Sequence, residues 1–225
     1  MTRVKACGVA RVEDARLAVE LGAWALGLVL VPSSPRVCSP EVAEEIGATF
    51  RRRVEVVGVF ANATLDEVAL AAERFALSIL QLHGDEGPAY CREAARRTGC
   101  RVMRAVRVRD AASVRALRPY QVDLHLLDAY SPRAAGGTGS TFDWELARLH
   151  DRSVPLVLSG GLSADNVGEA IDAVGPWAVD SASGTEASPG VKDPARLRAL
   201  FRAVAAADAR LEEPAAEPAP EGAAV

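Results

Sequence analysis

The sequence predicts a single (β/α)8 barrel of the α/β class, and three observations carry that prediction. Eight short β-branched apolar runs alternate with eight amphipathic segments rich in Ala, Leu, Arg and Glu, the count of a closed parallel barrel. The runs 56–60 and 156–158 are continuously apolar, as strands covered on both faces require. The fold-bearing stretch, about 208 residues, lies near the compact end of that architecture. A doubly wound open sheet is the alternative, but it usually carries fewer strands, and no GxGxxG follows the first strand.

Each element has its own local justification. Strand 1 spans 3–7 and leads to a helix near 11–21. Strand 2 spans 24–31, and the helix over 40–50 is opened by Ser39 as N-cap with Pro40 at the first helical position. Strand 3 covers 54–61, after which Thr64-Leu65-Asp66-Glu67 reads as a capping box for the helix 65–75. Strands at 77–83 and 101–108 flank a helix at 86–98, and a helix at 110–118 leads to strand 6 at 122–128. Helices at 142–149 and 164–174 bracket strand 7 at 154–159. Strand 8, 177–182, precedes the last helix, 193–207, which Asp193-Pro194 opens as Ser39-Pro40 opens the second. No linker divides 1–208, so it reads as one domain. The remainder, 209–225, is Pro/Ala/Glu-rich without apolar periodicity and reads as a disordered tail.

Composition narrows the function classes. Hydrophobic residues at 49% and charged residues at 25% give a full globular core and exclude disorder as the main state. No apolar run reaches the roughly 20 residues of a membrane span. The first residues carry no signal-like apolar stretch, which implies a cytoplasmic protein without a membrane partner. The net charge of −4 is carried by Glu212, Glu213, Glu217 and Glu221, so the body is neutral. Without a basic block there is no electrostatic footprint for nucleic acid. The cysteines at 7, 38, 91 and 100 form no CxxC and none pairs with His at metal spacing. Neither a metal site nor a disulfide framework is expected.

In such a barrel the chemistry sits at the C-terminal ends of the strands. Strand 7 ends in Ser159-Gly160-Gly161 and strand 8 runs into Ala182-Ser183-Gly184. Loops at these two positions commonly bind phosphate through backbone N–H groups and a helix N-terminus, here expected near Ser163. A pair of tight turns is the plainer reading. An Asp closing the apolar run Leu124-His125-Leu126-Leu127 is poorly explained by packing. Partly stripped of water, Asp128 suits a general acid, with a helix cap or a surface pair as the alternative. Cys7, at a strand end before a helix, is placed for a lowered pKa and a thiolate; a core thiol is the alternative. Cys38, Cys91 and Cys100 read as core thiols. His83, unlike mid-strand His125 and loop His150, stands at the mouth and is a candidate substrate contact. The segment 129–141, with Gly136-Gly137-Thr138-Gly139, is a candidate lid or a plain loop.

Taken in order, Lys5-Ala6-Cys7-Gly8-Val9, Pro35-Arg36, Gly58-Val59-Phe60, Gln81-Leu82-His83-Gly84, Leu127-Asp128, Gly136-Gly137-Thr138-Gly139, Thr141-Phe142-Asp143-Trp144, Leu158-Ser159-Gly160-Gly161-Leu162 and Ser183-Gly184-Thr185-Glu186 form a series. It resembles the phosphoribosylanthranilate isomerase family of tryptophan biosynthesis, over residues 3 to about 205. The resemblance implies an Amadori rearrangement of N-(5-phosphoribosyl)anthranilate to 1-(2-carboxyphenylamino)-1-deoxyribulose 5-phosphate, without a cofactor. It implies Cys7 as general base, Asp128 as general acid, and Arg36 on the anthranilate carboxylate, a task for a guanidinium fork. His83 and Asp180 become substrate contacts, and Gly160, Gly161, Ala182, Ser183 and Gly184 the phosphate site. The partner is then a small sugar phosphate, and the protein a monomer or homodimer.

Three positions depart from the family pattern: Ala6 before the base, Ala10 after Gly8-Val9, and Ala182 where Ser or Asn is common. The last removes a side-chain donor from the phosphate site. Other phosphate-binding barrels are the rival readings. The epimerase type lacks its His/Asp metal set here. The indole-glycerol-phosphate synthase type wants a lysine at a strand end, and Lys5 is the only lysine in the first 191 residues. A non-catalytic barrel subunit is the third reading, against which Cys7, Arg36 and Asp128 argue.

Overall fold

The computed structural model describes residues 1–129 and 144–212. Eight strands, β1 (Arg3–Cys7), β2 (Ala25–Val29), β3 (Glu55–Phe60), β4 (Ile79–Leu82), β5 (Arg101–Val108), β6 (Leu124–Ala129), β7 (Leu156–Ser159) and β8 (Ala178–Ser181), pair in chain order. β8 then pairs in parallel with β1 and closes the barrel. Outside them run α1 (Val12–Glu20), α2 (Pro40–Phe50), α3 (Leu65–Arg74), α4 (Pro88–Thr98), α5 (Ala111–Arg115), α6 (Trp144–Arg148), α7 (Val167–Val174) and α8 (Pro194–Glu212). The expected start signals operate. The Ser39 side chain accepts from Val42 N, and Thr64 with Glu67 completes a capping box.

Strand alternation sorts the side chains into two cores. Val57, Ile79, Met103, Leu126 and Val157 fill the barrel, while Leu28, Leu80, Leu127 and Leu158 pack under the helices. At the N-terminal end Trp24 and Trp177 meet edge to face, centroids 4.8 Å apart, with the Arg3 guanidinium over Trp177. His125 points outward from β6 and meets His150, Nδ1 to Nε2, at 2.9 Å. Arg152 N donates to His150 Nδ1, so His150 carries its proton on Nε2 and donates it to His125. Burial pulls both imidazoles down, His125 to about 4.

Three expectations change. The seventh helix begins at Val167, not 164, because Asn166 Oδ1 accepts from Ser163 N and holds 163–166 as a turn. The last helix runs on to Glu212, past the expected 208 boundary. Asp208 on it accepts from Thr2 N at 2.6 Å and Thr2 Oγ1 at 2.7 Å, and Arg210 pairs with Asp172. Residues 209–212 therefore continue a docked helix. The rest of the expected tail, 213–225, and the candidate lid with Gly136-Gly137-Thr138-Gly139, beyond Ala129, lie outside the described residues. Between β8 and α8 comes an unexpected excursion: a 3-10 turn, Ser183–Thr185, then an antiparallel hairpin of β9 (Glu186–Ser188) and β10 (Val191–Lys192). Strands of three and two residues are too short to show a period in sequence.

Candidate active site

The inward-facing ends of the strands converge at the C-terminal mouth. Lys5 and Cys7 alternate inward from β1, leaving Ala6 to the outer core under the helices. The Ala6 departure thus alters helix packing rather than the floor beneath Cys7. Around Cys7 lies an apolar wall of Val29, Val59, Val31 and Ala182. The Ala182 methyl belongs to this wall. Its carbonyl accepts from Thr185 N, Thr185 Oγ1 and Lys192 Nζ.

Two buried lysines frame the thiol. Lys5 Nζ donates to Asp180 Oδ1 at 2.9 Å, and Ser159 Oγ donates to Asp180 Oδ2 at 3.2 Å. Asp180 is thereby part of the barrel floor, with both oxygens engaged. Lys192 Nζ donates to the Cys7 carbonyl at 2.5 Å, to the Ala182 carbonyl at 3.0 Å and to Thr185 Oγ1 at 3.1 Å. Burial pushes the Cys7 thiol up, and the Asp180 charge adds to this; Lys5 and Lys192 oppose without cancelling it. The lowered thiol expected from the strand end is not what this site gives. Cys7 is walled from water, and α1 starts only at Val12, too far on for its N-terminal N–H groups to favour a thiolate.

Arg36 follows β2 and reaches back over the mouth. Its Nε donates to both carboxylate oxygens of Glu186 at 2.9 and 3.0 Å, and Nη2 donates to Oε2 at 2.8 Å. Nη1 has no partner among the described residues, which leaves one side of the fork for an incoming anion. Gly8 carries the chain beneath this pair. It has a φ of +71°, and a Cβ there would meet Arg36 Cδ at 3.0 Å.

Asp128 stands one residue before the end of β6, three strands from β1 around the closed barrel. Its side chain is 27% exposed, with His83 Nε2 3.4 Å from Oδ2. A scaffold invisible to the sequence reading fixes His83. Arg104 donates to the Leu82 and Gly84 carbonyls at 2.8 Å each, and Glu86 accepts from Gly84 N and Asn62 N. Gly84 itself is pressed so close to Asn62 that a Cβ would lie 2.4 Å from its Oδ1.

Gly160 and Gly161 take φ of 100° and 67° after β7, a turn that favours glycine. The need for Gly184 is different. A Cβ there would stand 2.0 Å from the Leu162 carbonyl oxygen, and Ser181 Oγ donates to that same oxygen at 2.6 Å. Glycine at 184 lets the two loops lie against each other. Among the described residues, no protein acceptor takes the N–H of Gly161, Ser183 or Gly184, so donors from both loops remain for an anion. The start of α7 at Val167 puts its N-terminus farther along the chain than expected, which leaves the backbone amides of the two loops as the available donors.

Sequence reasoning singled out Cys7, Arg36, His83, Asp128 and the two loops as candidates, and all of them reach one mouth. It passed over Lys5, Lys192, Glu186, Val29 and Val59. For the valines the signal was present, since alternation from an inward Cys7 puts the matching positions of β2 and β3 inward. For Glu186 and Lys192 there was none, because their placement depends on the hairpin. Among the described residues no group of His, Cys, Asp and Glu is arranged to hold a metal ion, and no helix is long and apolar enough to cross a membrane.

Comparison with known proteins follows the same geometry. The model of a family described as N-(5'phosphoribosyl)anthranilate (PRA) isomerase matches residues 4–203. The chain is 48% identical over 202 residues to the N-(5'-phosphoribosyl)anthranilate isomerase of Geotalea uraniireducens, covering 90% of this chain and 98% of that one. It is 50% identical over 201 residues to that of Citrifermentans bemidjiense, covering 89% and 96%. The crystal structure of phosphoribosyl anthranilate isomerase from Thermotoga maritima superposes with a TM-score of 0.83 at 42% identity, over 92% of this chain and 100% of that chain. A crystal structure of such an isomerase in complex with reduced 1-(o-carboxyphenylamino)-1-deoxyribulose 5-phosphate superposes at 0.78 with 38% identity, over 92% and 100%.

Proposed function

From the premise that the chain belongs to the N-(5'-phosphoribosyl)anthranilate isomerase family, we propose that Cys7 and Asp128 carry its two proton transfers. The chain is an isomerase of tryptophan biosynthesis. It rearranges N-(5'-phosphoribosyl)anthranilate to 1-(2-carboxyphenylamino)-1-deoxyribulose 5-phosphate, and its ligand is a sugar phosphate. Asp128 protonates the ribose ring oxygen, the bond from C1′ to that oxygen breaks, and a Schiff base forms. The Cys7 thiolate then takes the C2′ proton to give an enolamine. Protonation at C1′ and loss of the C2′ hydroxyl proton give the ketone, so substrate and product are isomers and no cofactor is required.

One observation carries this assignment: an acid on β6 and a thiol on β1 face the same mouth from separate arcs of the barrel wall. A sugar between them is addressed from two sides, as the two transfers demand. Arg36 holds the anthranilate carboxylate through the free side of its fork, and the valine wall beside Cys7 suits the aromatic ring. The amides of Gly161, Ser183 and Gly184 hold the phosphate, with Gly160 and Ala182 shaping the turns. His83 contacts the sugar beside Asp128. Asp180, expected as a substrate contact, has both oxygens taken by Lys5 and Ser159 and serves the site by holding these two side chains in the floor.

Following freshly made phosphoribosylanthranilate into the ketose by NMR tests the reading. Turnover lost in both Cys7→Ser and Asp128→Asn supports it, and turnover kept in either removes that residue from the mechanism. We infer a cytoplasmic protein, either monomeric or homodimeric; the Thermotoga maritima relative is described as dimeric. Light scattering decides between the two states.

A further inference from the structure

Lys5 is a buried charge that the proton transfers above do not use. It lies two residues before Cys7 on β1, so both side chains enter the barrel from one strand face. Its side chain is fully buried and its ammonium is held by Asp180 at 2.9 Å. A buried ion pair is weak ground for stability, because apolar residues of the same volume often serve as well or better. The pair therefore asks for another use.

Gly27, on the neighbouring strand, indicates what that use is. It is paired with Cys7 across β1 and β2. A Cβ at this position would lie 2.8 Å from Cys7 Sγ and 2.9 Å from Lys5 Nζ. Thiol and ammonium thus converge over one bare Cα, and any side chain at 27 would collide with both. We infer that Lys5 is a positioning residue whose ammonium, anchored by Asp180, raises the fraction of Cys7 present as the thiolate that takes the C2′ proton. This rests on Cys7 being the base.

The charges facing Cys7 come from several elements. Asp180 on β8 opposes the thiolate; Lys5 on β1 and Lys192 on β10 favour it. Arg36, from the loop after β2, faces Cys7 with its own charge paired to Glu186 on β9. Burial works against the Lys5 ammonium, but Asp180 and Cys7 more than restore it, and its pKa ends above the ordinary value. Lys5 is consequently a fixed cation at neutral pH, acting by charge and not as a proton donor. Lys192 spends its donors on the backbone of Cys7 and Ala182 and on Thr185. Lys5 is left as the cation that shares with the sulfur the space over Gly27.

The test titrates the thiol directly in the full-length protein. Thiolate absorbance in the ultraviolet is recorded against pH for wild type, Lys5→Met, Asp180→Asn and the double variant. Each is paired with its own Cys7→Ser counterpart, so that the difference reports Cys7 alone. Lys5→Met moves the Cys7 midpoint up by about one pH unit or more and lowers kcat/KM at neutral pH about tenfold or more. Asp180→Asn moves the midpoint down. Opposite shifts are the signature of charge; a packing role would move neither. Should Lys5→Met fail to fold because Asp180 is left unpaired, the double variant carries the test, and its midpoint must lie above that of Asp180→Asn. An equal or lower midpoint overturns the inference. Turnover retained in Cys7→Ser would instead overturn the base assignment, and the titration would still decide whether Lys5 controls the thiol.

Discussion

At the scale of single residues, kinetics separates the proposed base and acid, Cys7 and Asp128, from the groups proposed to bind. Cys7→Ser and Asp128→Asn should each lower kcat by roughly 10²–10⁴-fold with modest change in KM, the usual worth of general acid–base catalysis. Steady-state kinetics on each variant checks this, and near wild-type kcat would remove the residue. Arg36→Met should act the other way. In the proposed binding mode its guanidinium is far from the bonds that change and contributes about equally to ground and transition states, so KM rises while kcat holds; an unchanged KM would sink the carboxylate assignment. The candidates could be picked out in sequence because chemistry-bearing types close apolar runs, as Asp128 does, and the structure brings them to one mouth. Their electrostatics were not legible there. The direction of the Cys7 shift depends on Asp180, Lys5 and Lys192 together, and two of these lie over 170 residues away in the chain.

At the scale of elements, the loops after β7 and β8 act as one unit because Gly184 lets them touch. Gly184→Ala would drive a methyl into the Leu162 carbonyl and part the two sets of amides. KM for the sugar phosphate should rise by about tenfold or more, the cost of roughly one charge-assisted hydrogen bond. Ala182→Ser should change KM less than that, since the side chain at 182 joins the apolar wall beside Cys7 while the amides remain in place. Inhibition constants for inorganic phosphate in the two variants check both statements; equal effects would mean the loops bind independently. The strands and most helices were legible from period and capping signals, Ser39-Pro40 and the Thr64 box among them. The β9–β10 hairpin was not, and with it went Glu186 and Lys192, which orient Arg36 and the Cys7 carbonyl.

At the scale of the molecule, the segment before β1 is tied to α8 where Thr2 binds Asp208. Asp208→Ala should cost about 1.5–3 kcal/mol, as hydrogen bonds to a charged group do. For a barrel of this size that lowers Tm by roughly 4–10 °C in calorimetry. Truncation after Glu212 should leave Tm within about 1–2 °C, since it spares the docked helix. Acid acts on the other side of the barrel. His125 falls from its ordinary 6.5 to about 4 in the folded protein, so the unfolded chain binds the extra proton first. The stability that neutral His125 contributes is present above about pH 6.5 and is lost as pH falls towards about 4. His125→Phe should flatten that slope in denaturant titrations; an unchanged slope would place the acid sensitivity elsewhere.

The chain has only two lysines, and both are buried beside Cys7. Its whole exposed positive surface is therefore built of arginine, and Met1, 94% exposed, supplies the one primary amine that solvent reaches freely. An amine-acylating dye or bead chemistry applied to the native enzyme should thus yield a singly tagged, active product, marked at the opposite end of the barrel from the mouth. The same reagent on the urea-unfolded chain should add up to three tags. Counting tags by intact mass would then serve as a footprint of folding, with each extra acyl group reporting a barrel that has opened.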